Sequence, residues 1–240
     1  MNILPLKGHS EGFTYEIKGN DIQAVTITLE SEDVKILAEA GSLFYMDGSI
    51  RFTTRAGTGK GIFGAAIAVI KRKMAGESAF LLEFSGKGRV SFTSNRISRI
   101  IPVRLDNESI LAQKDSFLCG GGNLDISFSV EKSFVKGMFG GEGFVFQKIS
   151  GTGVVFISAT GFVEEIKLEG NTILVETGKA VAWDDSVNYS ISMIKSLKTA
   201  IFGGEGFFLT GFSGHGTIIV QSINFETLKQ EILRDFKPEK

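Results

Sequence analysis

The chain has 240 residues, 42% of them hydrophobic and 22% charged, with 26 Lys and Arg against 27 Asp and Glu. This composition excludes disorder, a collagen-like repeat and a disulfide scaffold. A formal net charge of −1 excludes the strongly basic surface that wholesale binding to nucleic acid or anionic membrane needs.

In chain order, the first eight residues are too short and wrongly ordered for a secretory signal. Residues 22–29 alternate apolar and polar, the strand period. Ile36-Leu37-Ala38 follows, then a strand-like stretch from Ile50 to Arg55. Residues 61–70 form the longest uncharged apolar run, about half of a membrane span. Alternation resumes over 124–130 and 187–191. Short amphipathic pieces are expected over 132–139 and 195–202. A C-terminal helix over 224–237 is expected, with Asn224 as its cap and Phe225, Leu228, Ile232 and Phe236 in one stripe. A cytoplasmic protein is expected.

The chain repeats itself three times. Gly76-Glu77, Gly141-Glu142 and Gly204-Glu205 recur at steps of 65 and 63 residues, each followed by a Ser-Gly-x-Gly unit at Ser85, Ser150 and Ser213. Ile36-Leu37-Ala38, Ile110-Leu111-Ala112 and Ile173-Leu174-Val175 recur at steps of 74 and 63, so the first unit carries an insertion of about nine residues within 57–73. One domain with repeats over 31–106, 107–169 and 170–222 is therefore expected. After each Ser-Gly-x-Gly, Val90 and Phe92, Val155 and Ile157, and Ile218 and Val220 share the core parity. The other parity changes from Arg89 and Ser91 to Val154 and Phe156, then Thr217 and Ile219. Val154 and Phe156 therefore need a cover, for which a partner subunit and a packed helix are the two alternatives. If the cover is a partner, Phe156→Asp is expected to weaken an oligomer.

The stretches Gly41 to Asp47, Val181 to Val187 and Phe202 to Ser222 resemble the altered inheritance of mitochondria protein 24 family in the right order. The resemblance covers roughly residues 10 to 224. It implies an all-β fold of three intertwined β-sandwich repeats, similar to the tryptophan RNA-binding attenuator protein, about a pseudo-threefold axis with a C-terminal helix. It implies no catalytic residues. Its mitochondrial relatives are linked to inner-membrane organisation, and no transit peptide is expected here, so that role is not carried over directly.

The remaining chemistry is sparse. Gly59-Lys60-Gly61-Ile62-Phe63-Gly64 matches a dinucleotide fingerprint, but no βαβ alternation surrounds it and it falls in the insertion. In that insertion Ile62, Phe63, Ile67 and Ile70 precede Lys71, Arg72 and Lys73, an apolar run with a basic clamp that suits a membrane surface or a protein partner. Glu77, Glu142 and Glu205 are expected to accept backbone N–H bonds in turns, and Gly86, Gly151 and Gly214 to shape bends. Ser213, His215, Asp184 and Asp185 can be assembled on paper into a triad, but His215 aligns with Lys87 and Thr152 and so occupies a variable position. Cys119 has no partner for a disulfide, and with His9 and His215 it gives no metal spacing. No enzyme activity, metal or cofactor is expected.

The expectation is a non-catalytic binding or scaffold protein that self-associates as a homo-oligomer. It presents a repeated β surface to a protein or membrane-surface partner, with Ile62 to Lys73, Val154 and Phe156 as contacts. An RNA- or small-ligand-binding module is the alternative. Nucleic acid is disfavoured because most Phe residues fall on the core parity.

Overall fold

A computed structural model describes residues 1–55, 81–131, 144–194 and 207–235. The insertion residues Ile62 to Lys73, the Gly59–Gly64 fingerprint and Glu77, Glu142 and Glu205 lie outside the described residues. So do the two short amphipathic pieces. By sequence position, the three undescribed internal stretches each connect neighbouring strands of one repeat.

The described chain is all-β, with one helix near its end. Its strands are β1 (Asn2–Ile3), β2 (Lys7–Ser10), β3 (Phe13–Lys18), β4 (Ala24–Leu29), β5 (Ile36–Glu39), β6 (Leu43–Met46), β7 (Arg51–Arg55), β8 (Leu81–Ser85) and β9 (Gly88–Thr93). The longer β10 (Ser98–Gln113), β11 (Phe117–Glu131), β12 (Phe144–Thr160) and β13 (Val163–Glu176) follow, then β14 (Ala180–Asp184), β15 (Asn188–Ile194) and β16 (Phe207–Gln221). The helix α1 (Phe225–Asp235) closes the series. One sheet runs β2-β3-β4-β9-β6. The other runs β13-β16-β14-β10-β12-β11-β5-β8-β7, with β1 added on β10 and β15 on β16.

The repeat is visible in local geometry. Gly86 and Gly88, Gly151 and Gly153, and Gly214 and Gly216 all have positive φ, between 104° and 157°. A side chain at Gly151 would collide with the carbonyl oxygen of Asn123, and one at Gly153 with that of Gly121, so these positions need glycine on two counts. The Ser-Gly-x-Gly units do not reverse the chain. In β12 and β16 they lie inside one continuous strand, opposite register shifts at Asp106/Glu108 in β10 and Glu169/Thr172 in β13. They are bends that let a single strand serve two parts of the fold.

Each unit is tied to the next by the same short seam. Ile36, Leu37 and Ala38 in β5 pair with Gly121, Gly120 and Cys119 in β11. Ile110, Leu111 and Ala112 in β10 pair in the equivalent register with Asp184, Trp183 and Ala182. The N-terminal strands are shared out, since β1 pairs with β10 and β3 with β4.

Three apolar clusters stack between these layers, and in the middle unit successive residues of one strand serve different clusters. Val154 and Phe156 join Phe13, Tyr15, Val90 and Phe92 in the first cluster. Val155 and Ile157 join Val103, Leu105, Val181 and Ile219 in the second. All four are fully buried. This corrects the expectation for Val154 and Phe156: neither a partner subunit nor a helix is needed to cover them. The first unit and β3 do so, with Tyr15 edge-on to Phe156 at 5.0 Å between ring centroids. Periodicity identifies an apolar face but not the element that lands on it.

The third cluster gathers Phe146, Trp183, Phe212 and Ile218, with Tyr189 packed beside them. Trp183 meets Phe146, Tyr189 and Phe212 at centroid distances of 5.0, 5.4 and 5.1 Å. Its indole Nε1 is buried and has no hydrogen-bond partner among the described residues, so within them it contributes by packing. Asn224 caps α1, its carbonyl accepting from the Leu228 N–H at 3.0 Å. The Arg96 guanidinium lies 4.7 Å over the Phe225 ring. Ile232 and Leu233 stay half exposed.

Phe156→Ala is expected to cost about 3–5 kcal/mol of unfolding free energy in urea titrations, and Phe156→Asp to abolish the cooperative transition, not merely dissociate an oligomer. Trp183→Phe removes the indole donor and is expected to cost less than about 1.5 kcal/mol, against about 3–5 for Trp183→Ala.

Candidate functional site

The side of the five-stranded sheet that faces away from the first cluster carries a polar array in two rows. Strand alternation builds it: Phe13, Tyr15 and Ile17 point inward from β3, so Thr14, Glu16 and Lys18 point outward. One row runs Lys7, Glu16, Thr26, Ser91 and Tyr45 across all five strands. The next runs His9, Thr14, Thr28 and Arg89. Apart from Ser91, which is buried beneath them, they line an open groove of about 530 Å³.

The groove is held by its own side chains. The Thr26 hydroxyl lies 3.3 Å from the Tyr45 hydroxyl and 3.2 Å from Ser91 Oγ, which donates to the Val25 carbonyl at 3.1 Å. Asp47 stands at the end of the second row. Its Oδ2 accepts from the Arg89 N–H at 2.9 Å and from Arg89 Nε at 3.2 Å, and its Oδ1 from Nη2 at 3.1 Å. The Glu16 carboxylate is bracketed by Lys18 at 3.0 Å and Lys7 at 3.9 Å. Hydrogen bonding to Arg89 holds the Asp47 carboxyl below the usual carboxylate range, and the bond to Lys18 does the same for Glu16. Beneath the groove, burial pushes the Tyr15 phenol up, and its hydroxyl donates to the Pro5 carbonyl at 3.1 Å. Three cations thus face two carboxylates beside a row of hydroxyls, a surface that offers donors and acceptors with little net charge.

The third unit repeats this corner with different neighbours. Asp184 Oδ2 accepts from the Thr217 N–H at 2.7 Å, as Asp47 does from Arg89, and Oδ1 meets the Met1 ammonium at 2.5 Å. Ser49 and Ser186 donate to the carbonyls of Lys87 and His215, at 2.6 and 3.3 Å. In the middle unit the matching position is Gly121, where a Cβ would press on the Phe13 ring and Ile36 Cδ1 at 2.6 Å. Asp184 is therefore engaged at the repeat corner by the Thr217 N–H and the Met1 ammonium. Cys119 is fully buried, and burial pushes its thiol well up, as suits an inert side chain.

Of the sequence-predicted residues, Gly86, Gly151 and Gly214 occupy the bends, and Val154 and Phe156 lie in the core. The groove residues were not selected from the sequence as a site. Their signal was there in Arg89 and Ser91, the polar pair standing where the other units have Val154 and Phe156, and Thr217 and Ile219. Among the described residues no group of His, Cys, Asp or Glu is placed to hold a metal. No helix among them is long and apolar enough to cross a membrane.

The family model described as mitochondrial biogenesis AIM24 matches residues 15–223. An uncharacterized protein of Streptococcus pyogenes serotype M6 is 28% identical over 197 residues, covering 80% of this chain and 78% of that protein. A crystal structure of a Streptococcus pyogenes protein superposes with a TM-score of 0.74 at 24% identity, covering 93% of this chain and 100% of the other. That likeness speaks to the fold.

Acid stability tests the corner at Asp47. Its folded carboxyl keeps its charge to lower pH than in the unfolded chain, so the unfolded state binds more protons as pH falls. The stabilisation is thus present above about pH 4 and lost below it. Urea midpoints measured at about pH 6 and about pH 3 are expected to fall further for the unsubstituted chain than for Asp47→Asn.

Proposed function

The chain belongs to the mitochondrial biogenesis AIM24 family, and on that premise we propose a non-catalytic binding or scaffold protein that self-associates. It presents the polar face of its five-stranded sheet to a protein partner. One observation carries this reading. Val154, on the face of the second unit that corresponds to the groove wall, is buried against the first unit, whereas its first-unit counterpart Arg89 is exposed and held in place by Asp47. The notion of a surface presented three times over gives way to one presented once.

The chemistry favours protein over membrane. A bilayer surface selects basic clusters or apolar wedges, whereas the groove balances Lys7, Lys18 and Arg89 against Glu16 and Asp47. Aligned hydroxyls on Thr14, Thr26, Thr28 and Tyr45 suit the donors and acceptors of an extended peptide. An RNA-binding module is the second reading, favoured by the half-exposed Tyr45 ring beside Arg89, because single-strand binding pairs aromatic stacking with cations.

Thr28 is exposed, so Thr28→Arg fills the groove without entering the core. Affinity capture from the native cell with quantitative mass spectrometry is expected to recover a partner set with the unsubstituted chain and to lose it more than tenfold with Thr28→Arg, at unchanged melting temperature. An identical set from both chains overturns the reading. Retention on single-stranded RNA that falls with salt and disappears in Tyr45→Ala transfers the site to the second reading.

A further inference from the structure

The seam that joins the units is made twice within the chain, and its two halves are left over once each. The β5 edge is closed by β11, and the Ile110–Ala112 edge of β10 by β14. The third copy of the marker, Ile173 to Val175 in β13, pairs with β16 on one side, and among the described residues nothing pairs with its other side. The first copy of the receiving strand, β6, pairs with β9 on one side and is likewise open on the other.

Both open edges carry apolar side chains into solvent. Leu174 is 62% exposed, Phe44 61% and Tyr45 42%, with the Phe44 and Tyr45 rings 5.4 Å apart. The corresponding positions in formed seams are covered: Leu37 is buried and Leu111 partly buried where Leu174 is exposed, and Leu118 and Val181 are buried where Phe44 is exposed. The first half of β13 is guarded by exposed Glu164, Glu165, Lys167 and Glu169, whereas residues 171–175 carry no charge. Charged edge residues discourage pairing, and an uncharged apolar edge invites it.

We propose that β13 of one chain pairs with β6 of a second copy, antiparallel, in the register of the two internal seams: Ile173 opposite Asp47, Leu174 opposite Met46, Val175 opposite Tyr45. The occupant follows from the seam itself, because β6 is the member of the receiving set that remains open while its two counterparts are taken. The contact is heterologous, so the step from unit to unit continues from one molecule into the next and gives a closed ring of chains or a short filament. This inference rests on the self-association in the proposed function and specifies its geometry.

The test mixes two full-length chains of different tag size, one carrying Leu174→Cys and the other Met46→Cys. Cys119 is buried and does not compete. On mild oxidation, a disulfide-linked species containing both tags is expected, absent when either chain is oxidised alone. Light scattering of the unsubstituted protein is expected to show a mass above one chain that rises with concentration and drops to one chain in Leu174→Asp. The chain carrying both cysteines supplies the opposing outcome: a link within single molecules, or free thiols throughout with a monomeric mass, overturns the proposal. Loss of a captured partner in Thr28→Arg with the mixed cross-link intact leaves the pairing standing. The reverse result removes the pairing and spares the partner-binding groove.

Discussion

The structure depends on strands that are buried on both faces. In β12 the run Val154, Val155, Phe156, Ile157 is fully enclosed, and a strand alternates its side chains, so apolar layers must lie on either side of it. The first unit with β3 supplies one layer, and the third unit with β1 supplies the other. The bends at Gly151 and Gly153 let the same strand leave this sandwich and join the seam-forming part of the fold. Removing one layer would expose a row of large side chains, and for that reason the three units form one folded body instead of three small domains, each too small to bury its own core.

The corner residues show how a repeated backbone is adapted at each occurrence. The position filled by Asp47 and Asp184 uses a carboxylate to accept the N–H that follows the glycine bend. In the first unit the same carboxylate also fixes Arg89 over the groove, and in the third it holds the Met1 ammonium. In the middle unit Phe13 and Ile36 occupy the volume, and only Gly121 fits. An exposed ion pair such as Asp47–Arg89 contributes little stability by itself, because water screens it. Its larger effect is to keep Arg89 extended along the sheet in line with Thr28, which gives the groove a defined wall.

Much of the fold was legible in residue order. The three markers, the parity of Val90, Val155 and Ile218, the bends and the Asn224 cap are all local patterns, and local patterns survive in sequence. What was illegible was contact between distant elements. Nothing in the run around Phe156 says that β3 would cover it, because β3 precedes it by well over a hundred residues and is not part of the repeat. The groove failed for a related reason. It draws on β2 and β3, which lie outside the repeat, so aligning the units could show Arg89 and Ser91 as departures but not the Lys7, Glu16 and Thr14 that complete the rows.

A stack of similar layers must also have ends, and its two ends here are chemically unlike. At the first unit the outer face is polar, with Arg89 and Ser91 where the middle unit carries Val154 and Phe156. Water can cover that face without cost. Charges along Val163–Glu169 make the first half of the last strand equally tolerant of water. The stretch from Asn171 to Val175 is different, because among the described residues only β16 pairs with its backbone and Leu174 is exposed, in the part of the strand that the two earlier units use to grip a neighbour. An end meant only to face solvent would be expected to lose that side chain, as the first unit lost the apolar residues of its outer face. The retained Leu174, set against the retained Phe44 and Tyr45 on β6, is therefore the asymmetry that separates a stack that stops from one that continues.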